Sequence, residues 1–403
     1  MKLLHELKDK PIMKIVTGIR RSGKSYLLEH FADELMQQYG VKESCIQYIN
    51  FESLDYEGSY DYRGVYKELK ENFIEGSMNY VFLDEVQEVS DFERLLDGLH
   101  VRKDVDVYVT GSNAWMLSSE LATLISGRYV QIHMLPFSFS EFVEYTSGHQ
   151  ALSALSQNAL LDHYIAHSSF PLAIDISLAT PEGENAYLRD LYDTVLNKDV
   201  LTRFRINNKR GFENVLRFAL GHIGSMLSPG NMAATMRADG QAVDDKTINR
   251  YLDILHQIFL LYQVQRFDIR GKKQLATKEK HYCVDVGLRR ALLGRGDHAD
   301  RGHLLENVVY LELIRRGFQV WVGNAQAGKE VDFVTKDGRG NMGYYQVAWT
   351  AIEPTTHKRE LAPLLEINDN YPKYLLTTDE FDLSQDGIIH SSVAGWLLQE
   401  QSQ

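Results

Sequence analysis

The segment Gly18-Ile19-Arg20-Arg21-Ser22-Gly23-Lys24-Ser25 is a complete G-x-x-x-x-G-K-S, and those residue types at that spacing suit the holding of a polyphosphate. Glycines at 18 and 23 let backbone N–H groups curl around phosphate oxygens with no Cβ in the way. Lys24 would reach the β- and γ-phosphates, the Ser25 hydroxyl would hold Mg²⁺, and the stretch from Gly18 through Tyr26 would form the cradle. Downstream, Tyr80-Val81-Phe82-Leu83-Asp84-Glu85 is an apolar run ending in two adjacent carboxylates. Asp84 would bind Mg²⁺ through water, and Glu85 would orient or deprotonate an attacking water. A further apolar run ends in Thr110-Gly111-Ser112-Asn113, where Ser112 or Asn113 would sit between the two motifs and feel the γ-phosphate. The chemistry implied is the binding and hydrolysis of ATP.

These groups meet only if the chain places them on neighbouring strands. Strand-like runs at Ile12–Thr17, Cys45–Phe51, Tyr80–Leu83, Val105–Thr110 and Tyr129–Leu135 alternate with helical stretches such as Ser25–Gln38 and Phe92–Arg102. That alternation predicts an α/β unit with a parallel sheet. It also sets the phosphate loop between a strand and the positive end of a helix. Pro136-Phe137-Ser138-Phe139 breaks the pattern, and from Ser140 to about Leu261 the periodicity is almost wholly helical.

Composition bounds the rest. A chain of 403 residues exceeds the roughly 100–200 of one domain, so two or three are expected. No stretch approaches the ~18–20 apolar residues of a membrane helix, and the N-terminus lacks the pattern of a signal peptide. Two cysteines, Cys45 and Cys283, without metal-ligand spacing point to a reducing cytoplasm. A net charge of −12 argues against a whole-surface nucleic-acid binder and leaves room for a local basic patch.

The loop at 18–25, Leu83-Asp84-Glu85-Val86-Gln87, Thr110-Gly111-Ser112 and Gly127-Arg128 through Leu135-Pro136-Phe137-Ser138-Phe139-Ser140-Glu141-Phe142 resemble one prokaryotic family. Its members pair an AAA-type (AAA_14) ATPase of the AAA+ superfamily with a C-terminal DUF4143 domain. The resemblance continues through Asn197-Lys198-Asp199-Val200, His281-Tyr282-Cys283-Val284-Asp285-Val286-Gly287-Leu288 and His303-Leu304-Leu305-Glu306-Asn307, so it covers nearly the whole chain. It implies an oligomer, with a hexamer-like ring as one form, in which Arg128 reaches the γ-phosphate held by a neighbouring subunit. Arginine suits that role because its planar charge is not titrated away and grips phosphate oxygens in two places.

Beyond the ATPase core (1–140) and a helical lid (141–205), residues 206–295 read as a winged helix. Ser228-Pro229 starts one helix, Asp244 or Asp245 caps a second from Lys246 to about Ile258, and a hairpin follows Gln263. DNA contact would fall to Arg270, Lys272 and Lys273 at the hairpin tip, or to the stretch holding Lys198, Arg203, Arg205, Lys209 and Arg210. Residues 296–403 resemble a restriction-endonuclease-like α/β domain, with Glu306 on a helix, Asp332 on a strand and Gln346 on the next. Ala348 stands where the nuclease lysine belongs, so this is a vestigial site unless Lys358 reaches in from elsewhere. Two other functions remain open at this level: an ATP-gated metal-dependent DNA nuclease, or a low-turnover nucleotide switch acting on a protein partner.

Overall fold

The computed structural model describes residues 1–403 except 57–60, 113, 115–124, 239, 242, 295–299, 326–328 and 400–403. The chain forms two compact units: Met1–Met134 with Gln257–Phe259, and Leu135–His256 with Leu260–Gln403. No helix among the described residues is long and apolar enough to cross a membrane.

In the first unit, β1 (Met13–Thr17) and β3 (Asn79–Asp84) are buried at every residue, which is why their sequences are near-continuous apolar runs. With β2 (Ile46–Asn50), β4 (Val105–Gly111) and β5 (Tyr129–His133) they make a sheet of order β2-β3-β4-β1-β5. Every pairing in it is parallel. Alternate side chains leave opposite faces. Ile15, Val81, Leu83, Val107 and Val109 pack with Val65 and Leu69 of α3 (Tyr62–Glu71) and with Leu95, Leu96 and Leu99 of α4 (Phe92–His100). Val16, Tyr80, Phe82 and Tyr108 pack with Leu4 of α1 (Lys2–Leu7) and with Leu28, Phe31 and Leu35 of α2 (Lys24–Gln37). Because the strands run parallel, β3, β4 and β1, neighbours in the sheet, all end along one edge, at Asp84, Gly111 and Thr17.

The interior of this sheet also carries a buried ion pair. The Lys14 ammonium, fully shielded on β1, bonds the Asp106 carboxylate of β4, whose exposure is 3%. The other Asp106 oxygen accepts the Asp9 N–H at 2.9 Å and the Tyr108 hydroxyl at 2.8 Å. Burial lowers the Lys14 pKa and raises that of Asp106, each against the pull of its partner.

In the second unit, the Ser138 hydroxyl and the Glu141 carboxylate form a reciprocal cap that starts helix Phe139–Thr146, at the point where the strand pattern breaks. Helices follow to residue 257, with the Asn197–Val200 motif inside a π-helical turn, Val195–Leu201. From residue 209 the order is helix Lys209–Gly221, short strand β6 (Met226–Leu227), helices Pro229–Ala238 and Asp245–Gln257, then β7 (Leu261–Asp268) and β8 (Lys273–Cys283). Asp244 is the cap of the second of those helices, accepting the Thr247 N–H at 2.9 Å and its hydroxyl at 2.8 Å.

The hairpin does not end its own sheet. β7 pairs in parallel with β9 (Gln319–Asn324), and β10 (Glu330–Lys336), β11 (Met342–Val347), β12 (Lys373–Thr377) and β13 (Ile388–Ser392) continue the ladder. Strands before and after residue 296 therefore share one mixed sheet of eight, ordered β13-β12-β11-β10-β9-β7-β8-β6.

Removing one partner of a buried pair leaves an uncompensated charge. Asp106→Ala should cost the first unit about 3–5 kcal/mol, with the double change Lys14→Met/Asp106→Leu recovering most of it. Urea unfolding followed by tryptophan-independent circular dichroism measures both, and a loss below about 1 kcal/mol for Asp106→Ala would show the pair to be solvated.

Candidate nucleotide site

The loop after β1 turns back beneath the end of β5. A Cβ at position 18 would meet the Met134 carbonyl oxygen at 2.1 Å, so only glycine lets the loop leave β1 there. Gly23, the residue before α2, has φ +100°, a left-handed conformation that costs glycine little. Between them Ile19 and Ser22 are buried, and Arg21 is exposed. Arg20 is 5% exposed and its guanidinium meets Glu52 at 2.5 Å. Tyr26, by contrast, is 73% exposed and stacks on His30 one turn further along α2.

Lys24 is buried at the start of α2. Its ammonium donates to the Ile19 carbonyl of its own loop at 3.2 Å and lies 3.5 Å from Glu85 Oε1. Asp84, the last residue of β3, is fully buried: Oδ1 accepts the Thr110 hydroxyl, and Oδ2 is buried with no hydrogen bond among the described residues. Burial raises the Asp84 pKa, opposed by the nearby hydroxyls of Thr110 and Ser25. The Ser22 hydroxyl is a second buried oxygen without a hydrogen bond among the described residues.

Glu85 turns out of the strand at φ +53° and is 6% exposed. Burial would raise its pKa, but the charges of Lys24 and Arg20, with hydrogen bonds from Gln87 and Ser112, bring it below the usual carboxylate value. It therefore stays ionised at neutral pH. The Gln87 amide donates to Glu85 Oε2 and reaches the Ser112 hydroxyl at 3.4 Å.

Thr110 and Gln87 complete the site, and neither stands out among the reactive residue types in the sequence. Thr110 Oγ donates to Asp84 and accepts the Glu85 N–H at 2.8 Å, so one hydroxyl fixes both acidic residues. Its signal is positional: a hydroxyl near the end of the strand beside β3.

Lys24, Ser25, Asp84, Glu85 and Ser112 are thus gathered at one edge of the sheet; Asn113 lies outside the described residues. Arg128 is elsewhere. It precedes β5, which runs beside β1 from Met13↔Tyr129 to Thr17↔His133, so it lies one strand length, roughly 16 Å, from the loop edge. There its side chain, 45% exposed, pairs with Asp97 of α4 at 2.5 Å.

The second unit gathers a different set. Glu306, on helix Arg301–Arg315, and Asp332, on β10, approach each other around the Lys280 ammonium of β8, which is 2.8 Å from Glu306 Oε1 and 3.8 Å from Asp332 Oδ1. Gln346 accepts the Asp332 N–H at 3.4 Å and donates to Glu360 at 2.9 Å. Lys358 is exposed on helix Pro354–Leu365; the lysine beside the acids is Lys280. The period-2 alternation of β8, which puts Lys280 and Tyr282 on one face, was the available signal.

The five-stranded parallel sheet, with a glycine loop after β1 and carboxylates at the end of β3, is the architecture of a P-loop nucleotide-binding domain. Residues 10–143 match the family described as AAA domain, and residues 158–299 match a domain of unknown function, DUF8612, rather than the DUF4143 domain that the resemblance implied. An uncharacterized protein of Haemophilus influenzae is 35% identical over 402 residues, covering 98% of this chain and 96% of its own. The uncharacterized protein MJ1544 of Methanocaldococcus jannaschii is 26% identical over 325 residues, 76% of this chain and 67% of its own. Among solved structures, a Walker-type ATPase of Pyrococcus abyssi aligns over 72% of this chain and 93% of its own, with a TM-score of 0.46 and 16% identity. Residues 10–143 thus form an AAA domain, and the chain belongs to one family with the uncharacterized Haemophilus protein along nearly its whole length.

Thr110→Val removes the hydroxyl and keeps the shape, leaving the Asp84 carboxylate and the Glu85 N–H each short of a partner. The expected cost is about 1–3 kcal/mol of stability, with nucleotide binding retained and phosphate release at least about tenfold slower. Phosphate release at the parental rate would mean that Thr110 does not position the acids.

Proposed function

We propose that the protein binds ATP with Mg²⁺ and hydrolyses it, and that it works as an oligomer in which neighbouring subunits share sites. The observation that carries the reading is the pair of buried oxygens without hydrogen bonds among the described residues, Asp84 Oδ2 and Ser22 Oγ, beside a buried Lys24. Orphaned buried polar atoms are costly and call for a ligand. An anionic carboxylate oxygen fits a hard cation, and a hydroxyl at a glycine-rich helix start fits a phosphate. Asp84 and Ser25 would hold Mg²⁺, which supplies neutralisation of charge on the phosphate oxygens.

The remaining steps belong to the chain's own groups. Lys24, held by Ile19 and Glu85, turns to the β- and γ-phosphates, which offer it stronger charge. That releases one oxygen of an ionised Glu85 to accept a proton from the attacking water, while Gln87 keeps hold of the other. To Ser112, within reach of Gln87 beside Glu85, we assign the sensing of the γ-phosphate, and to Arg128, exposed and a strand length from its own loop, service to a second copy. The elements from Lys209 to Cys283 follow the order of a winged helix, and the exposed hairpin tip with Arg270, Lys272 and Lys273 is the surface we assign to DNA.

Lys24→Ala should abolish or greatly weaken binding in a fluorescent-nucleotide titration, and unchanged affinity would remove the phosphate role. Glu85→Gln should keep binding while turnover drops by about 100-fold or more; hydrolysis at the parental rate excludes Glu85 as the base. Arg128→Ala should be inactive alone yet regain hydrolysis when mixed with Glu85→Gln, since some interfaces then join an intact Glu85 to an intact Arg128. Full activity of Arg128→Ala, or a protein that stays monomeric with ATP at high concentration, would end the shared-site reading.

A further inference from the structure

The groups assigned to ATP all belong to the first unit, and the acidic centre of the second is marked by what stands inside it. Three carboxylates, Glu306, Glu330 and Asp332, lie around one point. In a nuclease-like domain such a point holds a divalent cation. Here it holds the Lys280 ammonium: 2.8 Å from Glu306 Oε1, in direct contact with Glu330 Oε1 and 3.8 Å from Asp332 Oδ1. We propose that this centre is a cation site permanently filled by the chain's own Lys280, so that the nuclease-like unit is closed to metal and holds its acids without one.

The surroundings are built for that occupant. Lys280 is 3% exposed, and Tyr282, on the same face of β8, donates its hydroxyl to Glu306 Oε1 at 2.5 Å. The second Glu306 oxygen, Oε2, lies 3.5 Å from His303 Nδ1, and a Cβ at Gly224 (φ +71°) would stand 3.1 Å from that oxygen and 2.6 Å from the same nitrogen. Asp332 is engaged as well, its Oδ2 accepting the Val347 N–H at 2.8 Å. A magnesium or manganese ion needs oxygens at about 2.0–2.2 Å in octahedral array. The oxygens it would use already face the ammonium, and a divalent ion added there would stand against a buried positive charge within about 4 Å. The lysine is also fixed from behind. β8 pairs with β7 on either side of a register shift, and Lys280 itself stands opposite Val264 of β7 and Met226 of β6, so its backbone is held from both sides.

The experiment uses nucleotide-free, full-length protein titrated with Mn²⁺, free ion being read by electron paramagnetic resonance. Parent and Asp332→Asn should bind the same amount. Lys280→Met should bind one further equivalent per chain, and Lys280→Met/Asp332→Asn should lose it again. Mn²⁺ should raise the melting midpoint of Lys280→Met more than that of the parent. The parent should not cut linear, supercoiled or branched DNA with Mg²⁺ or Mn²⁺. The proposal is overturned if Asp332→Asn takes an equivalent of Mn²⁺ from the parent, or if the parent cuts DNA in a way that Asp332→Ala abolishes. It is overturned equally if a folded Lys280→Met gains no Mn²⁺. The parent comparisons involve no altered lysine, so they decide even where Lys280→Met does not fold.

Discussion

Parallel pairing of β3 with β4 and of β4 with β1 is the constraint on which the nucleotide site depends. It brings the ends of three strands, distant in sequence, to one edge of the sheet, where the loop at 18–25, the Asp84-Glu85 pair and the Thr110–Ser112 turn come within hydrogen-bonding reach. The Thr110 hydroxyl then ties the second group to the third. None of these side chains has a local reason to approach the others. The ladder supplies it, and the ladder is held by apolar faces buried on both sides against α1 and α2 and against α3 and α4.

Among the described residues, three of the clusters of buried charge are resolved in different ways. Lys14 and Asp106 neutralise each other inside the sheet, with Asp9 and Tyr108 completing the hydrogen bonds. Lys280 sits among Glu306, Glu330 and Asp332, so that centre is supplied with its cation from within. At the nucleotide edge the matching is incomplete: Lys24 leans on Glu85 and a loop carbonyl, while Asp84 Oδ2 and Ser22 Oγ lack hydrogen bonds among the described residues. Charge left incompletely matched in a buried place is what a ligand-binding site requires, and charge matched internally is what a scaffold requires.

The eight-stranded sheet gives the second unit its character. A hairpin that would otherwise be a free wing is joined by β7 to β9, so the helices before it and the strands after it share one hydrogen-bonded frame. That frame carries Lys280 from one part of the sequence to acids in another, and it fixes the lysine there.

The sequence by itself determined the phosphate loop, the Asp84-Glu85 strand end, the five strands of the first sheet and the helix–helix–hairpin order of the middle. Each is written in local pattern: glycine spacing, apolar runs, capping residues and changes of period. Tertiary structure alone decided that Thr110 and Gln87 belong to the nucleotide site, and that Arg128 lies a strand length from its own loop. It also decided that the lysine beside Glu306 and Asp332 is Lys280 rather than Lys358. The physical reason is common to all three. Which side chains meet depends on strand order and register, and these are fixed by pairings between segments far apart in the chain, for which no single stretch of sequence carries a signal.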